Sequence, residues 1–191
     1  PRFFFFFSFR FASSLFLYLT AIFKKTNLMD NWLVTFISFI SQSQTGDLKT
    51  SLYLKEYNDL RMKVSFGMGA PARVPWIGFL APEMRMSNGI NPVYLYYKNL
   101  GILILAYGVG ETTVPDQSWP AEVMNITQTI ESFLDENVPR YGNSFVFKAY
   151  SVKIDGNFIR YTYYKTETTE KEKDLSSDLN TITDYYKKII S

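Results

Sequence analysis

The sequence predicts an α+β domain in which a single, largely antiparallel twisted sheet is flanked by helices. Three patterns carry this prediction. The period-two alternation of Met62, Val64 and Phe66 with Arg61, Lys63 and Ser65 describes a strand. Two apolar runs around "KNLG" describe a hairpin, and apolar residues at helical spacing recur before and after these strands.

Taken in order, "MDNWLVTFISFISQSQ" (29–44) sets Trp32, Leu33, Phe36, Ile37 and Ile40 at helical spacing, with Asp30 or Asn31 as cap. The strand from Arg61 ends at Gly67 and has a basic outer face. "NPVYLYYKNLGILILAYGVG" (91–110) gives two strands turning at Asn99 and Gly101, and Ile102 to Ala106, apolar on both faces, belongs inside the sheet. "SWPAEVMNITQTIESFLDEN" (118–137) has Val123, Ile126, Ile130, Phe133 and Leu134 at helical spacing, with Pro120 near its start. A second hairpin turns at Asp155-Gly156, "TETTEKEKDLSSD" reads as a solvated linker, and "LNTITDYYKKII" as a closing helix. No internal repeat is present, and 191 residues suit one domain.

Composition excludes several functions. The chain has no cysteine and no histidine, which removes disulfides, thiolate zinc sites and catalysis by Ser-His-Asp or Cys-His groups. A carboxylate-only enzyme survives as an alternative, but Asp116, Glu122, Glu131, Asp135 and Glu136 fall where an exposed helix face would put them. We therefore expect no catalytic residue, no metal, no cofactor and no small-molecule substrate. Charge is segregated: Lys49–Lys98 holds seven basic and three acidic residues, Asn99–Val138 none and six, and Pro139–Lys165 five and one. A fold could set a basic face against an acidic one.

Residues 1–28 differ from the rest, with five consecutive phenylalanines and no acidic residue. The apolar run from Phe11 to Phe23 has the length of a signal-peptide core, short of the ~20 residues that span a membrane, and Lys24 and Lys25 follow it in place of a cleavage site. We expect this segment to be extraneous, with Met29 as the start, or else a hydrophobic leader or anchor. It holds four of the twenty basic residues and none of the eighteen acidic ones, so the remainder carries a net charge of −2.

The most unusual stretch is "SFGMGAPARVPWIGFL" (65–80). A phosphate cradle requires GxxxxGK[ST], or GxGxxG between a strand and a helix, because backbone N–H groups hold the anion. Gly67-Met68-Gly69 fits neither, and Pro71 and Pro75 remove two donors. The alternative is presentation: a loop that lifts Met68 clear of the sheet beside basic residues and Trp76 suits nucleic acid, where cations hold phosphates, an apolar wedge enters the stack and a ring receives a base. The plainer reading makes Trp76 a core residue and Met68 incidental.

"LRMKVSFGMGAPARVPWIGFL", followed by "SNGINPVYLYYKNL", "LILAYGV" and "PRYGNS", resembles the N-terminal DNA-binding domain of McrB, the specificity subunit of the modified-cytosine-dependent restriction system. The resemblance runs from about Met29 to the C-terminus and is best between Leu60 and Ser144. It implies a reader of modified cytosine, 5-methylcytosine or a relative, that flips the base out of double-stranded DNA. Matched by position, Trp76 and Tyr141 would sandwich the base, Leu95 would lie near its methyl group, and Asn91 would complete the pocket. Met68, between Gly67 and Gly69, would fill the vacated stack. Backbone contacts are expected from Arg61, Lys63, Ser65, Arg73, Lys98, Arg140, Asn143, Ser144 and Lys148.

Two departures stand out: the family's reader has tyrosine where this chain has Met68, and again where it has Asn91. Methionine fills gaps readily. An amide exchanges hydrogen bonds with a base edge, so the preferred modification is open to a larger or more polar group than methyl.

In that family the domain precedes an AAA+ GTPase motor that works with a McrC-like nuclease; no Walker motif occurs in these 191 residues. The expected division is residues 1–28 as above, 29–166 as the DNA-binding domain, and 167–191 as a charged linker and C-terminal helix. The expected location is cytoplasmic, with membrane association only if residues 1–28 act as an anchor. The rival reading is a membrane-tethered protein-interaction domain that does not bind DNA.

Overall fold

The computed structural model describes residues 32–87, 89–112, 117–155, 158–164 and 175–191. Seven strands form one antiparallel sheet in chain order: β1 (Glu56–Tyr57), β2 (Leu60–Gly67), β3 (Pro71–Leu80), β4 (Ile90–Tyr97), β5 (Ile102–Val109), β6 (Phe145–Asp155) and β7 (Phe158–Tyr163). Four helices accompany them: α1 over residues 32–42, α2 (Ala121–Ile126), α3 (Ile130–Leu134) and α4 (Leu175–Ile190). The expected α+β class and antiparallel sheet are present. Among the described residues no helix is long and apolar enough to cross a membrane.

β4 is buried at every position, and β5 at all but the last, as their two-sided apolar sequences require. One face of the sheet is packed with aromatic rings beneath α1 and α4. Trp32 of α1 stacks on Tyr94 at 5.5 Å between centroids and meets Tyr57 and Phe79 edge-on. The other face carries smaller side chains, among them Val93, Leu95, Ile104 and Ala106, with Ile130 and Leu134 of α3 laid over them. We call these the helix face and the loop face.

Four elements differ from the sequence reading. The stretch 71–80, given no element in the sequence reading, is the ten-residue strand β3. Its prolines are tolerated because the β3–β4 ladder runs only through Trp76, Ile77 and Gly78, beyond both Pro71 and Pro75, and the β2–β3 register is irregular between Ser65 and Gly67. The predicted helix over 118–137 is two short ones. Between them the Gln128 carbonyl accepts from the Val146 N–H and Thr129 bridges to Phe145, so strand pairing interrupts the helix, and the Thr129 hydroxyl then caps α3.

α1 buries Trp32, Phe36, Phe39 and Ile40, whereas Leu33 and Ile37 of the predicted stripe are 44% and 41% exposed. The helix has apolar residues on more than one face, and the sheet chose between them. α4 begins at Leu175, inside the segment read as linker. Tyr94 donates its hydroxyl to the Leu175 carbonyl, and Tyr150 and Tyr163 both donate to the Asp178 carboxylate, at 2.6 and 2.7 Å. These contacts recruit a charged sequence into the core. The Asp30 and Asn31 caps, the Gly156 turn, Asp116 and residues 1–28 lie outside the described residues.

Candidate nucleic-acid interface

β2 and β3 are joined by a tight turn that only glycine fits at its start. Gly67 has φ +122°, and a Cβ there would come within 2.0 Å of the Ala70 carbonyl oxygen. Gly69 is also left-handed, at φ +76°. Between them Met68 is 98% exposed. A large apolar side chain is thus held off the body of the protein on a rigid two-stranded base.

Further along the hairpin, cross-strand register builds the rest of the site on the loop face. Trp76 pairs with Ser65 on one side and with Leu95 on the other, and Leu95 pairs with Ile104. Trp76 is half-buried and Leu95 fully buried. One row along, Val93 lies between Gly78 and Ala106, and then Asn91 opposite Gly108.

Small residues here make room. A Cβ on Gly78 would strike the Met86 thioether at 2.4 Å, and one on Gly108 would meet the Asn91 carbonyl oxygen at 2.7 Å. Asn91 is 2% exposed and its amide donates to the Pro92 carbonyl.

Tyr141 enters from the loop between α3 and β6. Its backbone is left-handed, at φ +65°, an unusual conformation for a residue with a side chain. Burial pushes its phenol pKa up, the Arg140 guanidinium and a hydrogen bond with Trp76 pull it down, and the Glu111 carboxylate adds to the rise; the net shift is upward. The hydroxyl is therefore protonated and uncharged at neutral pH. Trp76, Leu95 and Tyr141 are brought together in one apolar cluster, with Met86 packed against it.

The expected backbone contacts divide by geometry. Lys63 and Ser65, opposite Gly78 and Trp76, line the loop face, and Lys63 is exposed. Arg73 is exposed and, with Tyr97, Asn99 and Pro139, borders a 330 Å³ cleft; Lys98 sits in the adjoining β4–β5 turn. Asn143 is exposed.

Others are engaged elsewhere. The Arg61 guanidinium donates to the Ala81 and Met84 carbonyls, at 3.2 and 2.7 Å. Arg140 pairs with Glu111 at 2.6 Å. Ser144 is 1% exposed and its hydroxyl accepts from the Val109 N–H. Lys148 lies over the Phe147 and Tyr163 rings, and its partner Leu105 belongs to the helix-face core.

Three residues that border this site were not singled out in the sequence. Arg85 joins Arg61 and Lys63 around a 470 Å³ cleft, Met86 covers Gly78, and Glu111 holds the Tyr141 loop. The basic character of Lys49–Lys98 was the one signal that included Arg85. Among the described residues no group of three acidic side chains could hold a metal ion. The arrangement sets an exposed apolar side chain, two half-buried rings around the buried Leu95, and nearby cations on one hairpin and its neighbours.

A family model described as the MrcB-like, N-terminal domain matches residues 23–191. The chain belongs to this family. It is also 33% identical over 134 residues to the type IV methyl-directed restriction enzyme EcoKMcrB subunit of Escherichia coli strain K12. That match covers 68% of this chain and 28% of the relative, so this MrcB-like chain spans just over a quarter of the relative's length. The family model that matches describes an N-terminal domain.

Proposed function

We propose that this MrcB-like domain is a DNA-binding specificity module that recognises a modified cytosine in duplex DNA by base flipping. The supporting observation is the common face: one hairpin carries the exposed Met68 and the half-buried Trp76, and Trp76 lies beside Leu95 and Tyr141 with Lys63 on the same face of the sheet. Its likeness to a subunit named as methyl-directed supports the same reading.

The magnitudes are consistent with a modest binder. Flipping costs a few kcal/mol. Stacking on an aromatic ring returns about 1–3 kcal/mol per base. A 5-methyl group in an apolar pocket adds only ~0.8 kcal/mol. Phosphate contacts must supply the remainder, and with it a steep salt dependence. Lys63 and Arg73 are the cations best placed for this, with Lys98 and Arg85 beside them. The domain's partners in this reading are modified duplex DNA and, through the restriction system, a GTPase motor and a nuclease.

The test is equilibrium binding of the full chain to matched duplexes carrying cytosine, 5-methylcytosine or 5-hydroxymethylcytosine after a purine, at two salt concentrations. The expected result is preference for a modified duplex that Trp76→Ala abolishes. Salt-sensitive binding without preference would reduce the domain to a non-specific DNA binder, and no binding to any duplex would overturn the proposal.

A further inference from the structure

Tyr141 is held by an ion pair that its own sequence neighbour begins. One oxygen of the Glu111 carboxylate accepts the Arg140 Nε–H at 2.6 Å, and the other accepts the Tyr141 backbone N–H. The Tyr97 hydroxyl donates to the Arg140 carbonyl at 2.8 Å. These bonds fix the left-handed backbone at Tyr141, which a bare loop would leave sparsely populated.

Glu111 is itself anchored. On either side of it the Gly110 and Thr112 N–H groups donate to the Gly89 and Ser87 carbonyls, at 2.9 and 3.1 Å. Its carboxylate therefore ties the β3–β4 connection, which carries Met86, to the loop that carries Tyr141. The Arg140 guanidinium then lies 4.9 Å from the centroid of the Tyr141 ring. One face of that ring is covered by a cation.

We propose that Glu111 and Arg140 form a positioning pair that sets Tyr141 as a wall of the base pocket, and that Arg140 acts through that ring and not on a phosphate. The inference rests on the base-pocket reading above. The Arg140 side chain is 57% exposed, but its charge is already balanced by the Glu111 carboxylate, so it is expected to release few counterions of its own. Arginine is needed for its Nε–H and for a planar group that lies over the ring, which lysine lacks despite equal charge.

The experiment uses the full chain and salt titrations against a modified duplex and its unmodified match. Arg140→Lys and Glu111→Gln are each expected to lower the preference for the modified duplex at least twofold, out of the roughly fourfold that one methyl group supplies. Affinity of Arg140→Lys for the unmodified duplex should stay within about twofold, which also reports an intact fold, and Arg140→Gln should leave the slope of log K against log salt unchanged. Lys63→Gln should do the reverse, lowering the slope by about 0.9 and weakening both duplexes alike. If Arg140→Lys keeps the preference, or Arg140→Gln lowers the slope as Lys63→Gln does, Arg140 is a phosphate contact and the proposal fails alone. If the unaltered chain shows no preference, the base-pocket reading fails and this proposal with it.

Discussion

The two faces of the sheet are built from the same strands by opposite rules. The helix face is closed by large rings: Trp32, Tyr57, Phe79, Tyr94 and Tyr150 are each at most 1% exposed, and their hydroxyls reach α4 through Asn180, Leu175 and Asp178. The loop face thins to Gly78, Ala106 and Gly108, and two of its rings, Trp76 and Tyr141, are left half-buried while Tyr97 is buried. Burying aromatic area is the largest stabilising resource of a small domain. Here it is concentrated on one side, so that the other can keep glycines and a left-handed tyrosine.

Substitutions that exchange the rules of the two faces should separate stability from binding. The largest effect is expected from Tyr94→Ala, which removes a fully buried ring stacked on Trp32 and the hydrogen bond to the start of α4. It should cost about 3–5 kcal/mol in a denaturant titration, and a cost below 1 kcal/mol would show that the helix face does not hold the fold.

Next come two glycines of the loop face. Gly108→Ala drives a methyl group against the Asn91 carbonyl and Val93, neither of which can move freely, and should cost about 1–3 kcal/mol. Gly78→Ala meets only the tip of Met86, a flexible side chain, and should cost less than about 1 kcal/mol. Equal losses would mean that the Met86 loop is as rigid as the sheet.

The smallest effect concerns the outer rim of the helix face. Burial raises the Asp184 carboxyl pKa, but the Asn58 amide and Lys187, with help from Lys188, outweigh it and hold it below the ordinary 3.8. A lowered folded-state pKa contributes stability above the ordinary value and loses it as pH falls through the folded one. Its side chain is 57% exposed, so screening keeps the contribution to about 0.5 kcal/mol or less. Asp184→Asn should thus be slightly less stable than the parent above about pH 5, with the difference vanishing in acid. A difference that grows on acidification would refute the assignment.

Much of this was legible in residue order, because strands and hairpins announce themselves locally. Gly101 turns the β4–β5 hairpin at φ +64°, the alternation in β2 gives its buried side, and the glycines around Met68 signal a presented side chain. β3 was not legible: its prolines argue against a strand, and only the structure shows that both fall outside the short ladder to β4. The split of the 118–137 helix and the early start of α4 were hidden for the same reason, since Val146 and the tyrosines that decide them are distant in sequence.

By itself, then, the sequence determined the fold class, the exposed Met68 and the identity of the ring-bearing residues, all of which follow from periodicity and backbone chemistry within a few residues. Only the tertiary structure decided that Trp76 and Leu95 stand side by side, that Lys63 shares their face while Lys148 reaches the aromatic rings of the other, and that Arg140 is paired with Glu111 across 29 residues. Register and long-range pairing depend on which strands meet, and that is fixed by the packing of the whole sheet rather than by any one segment of it.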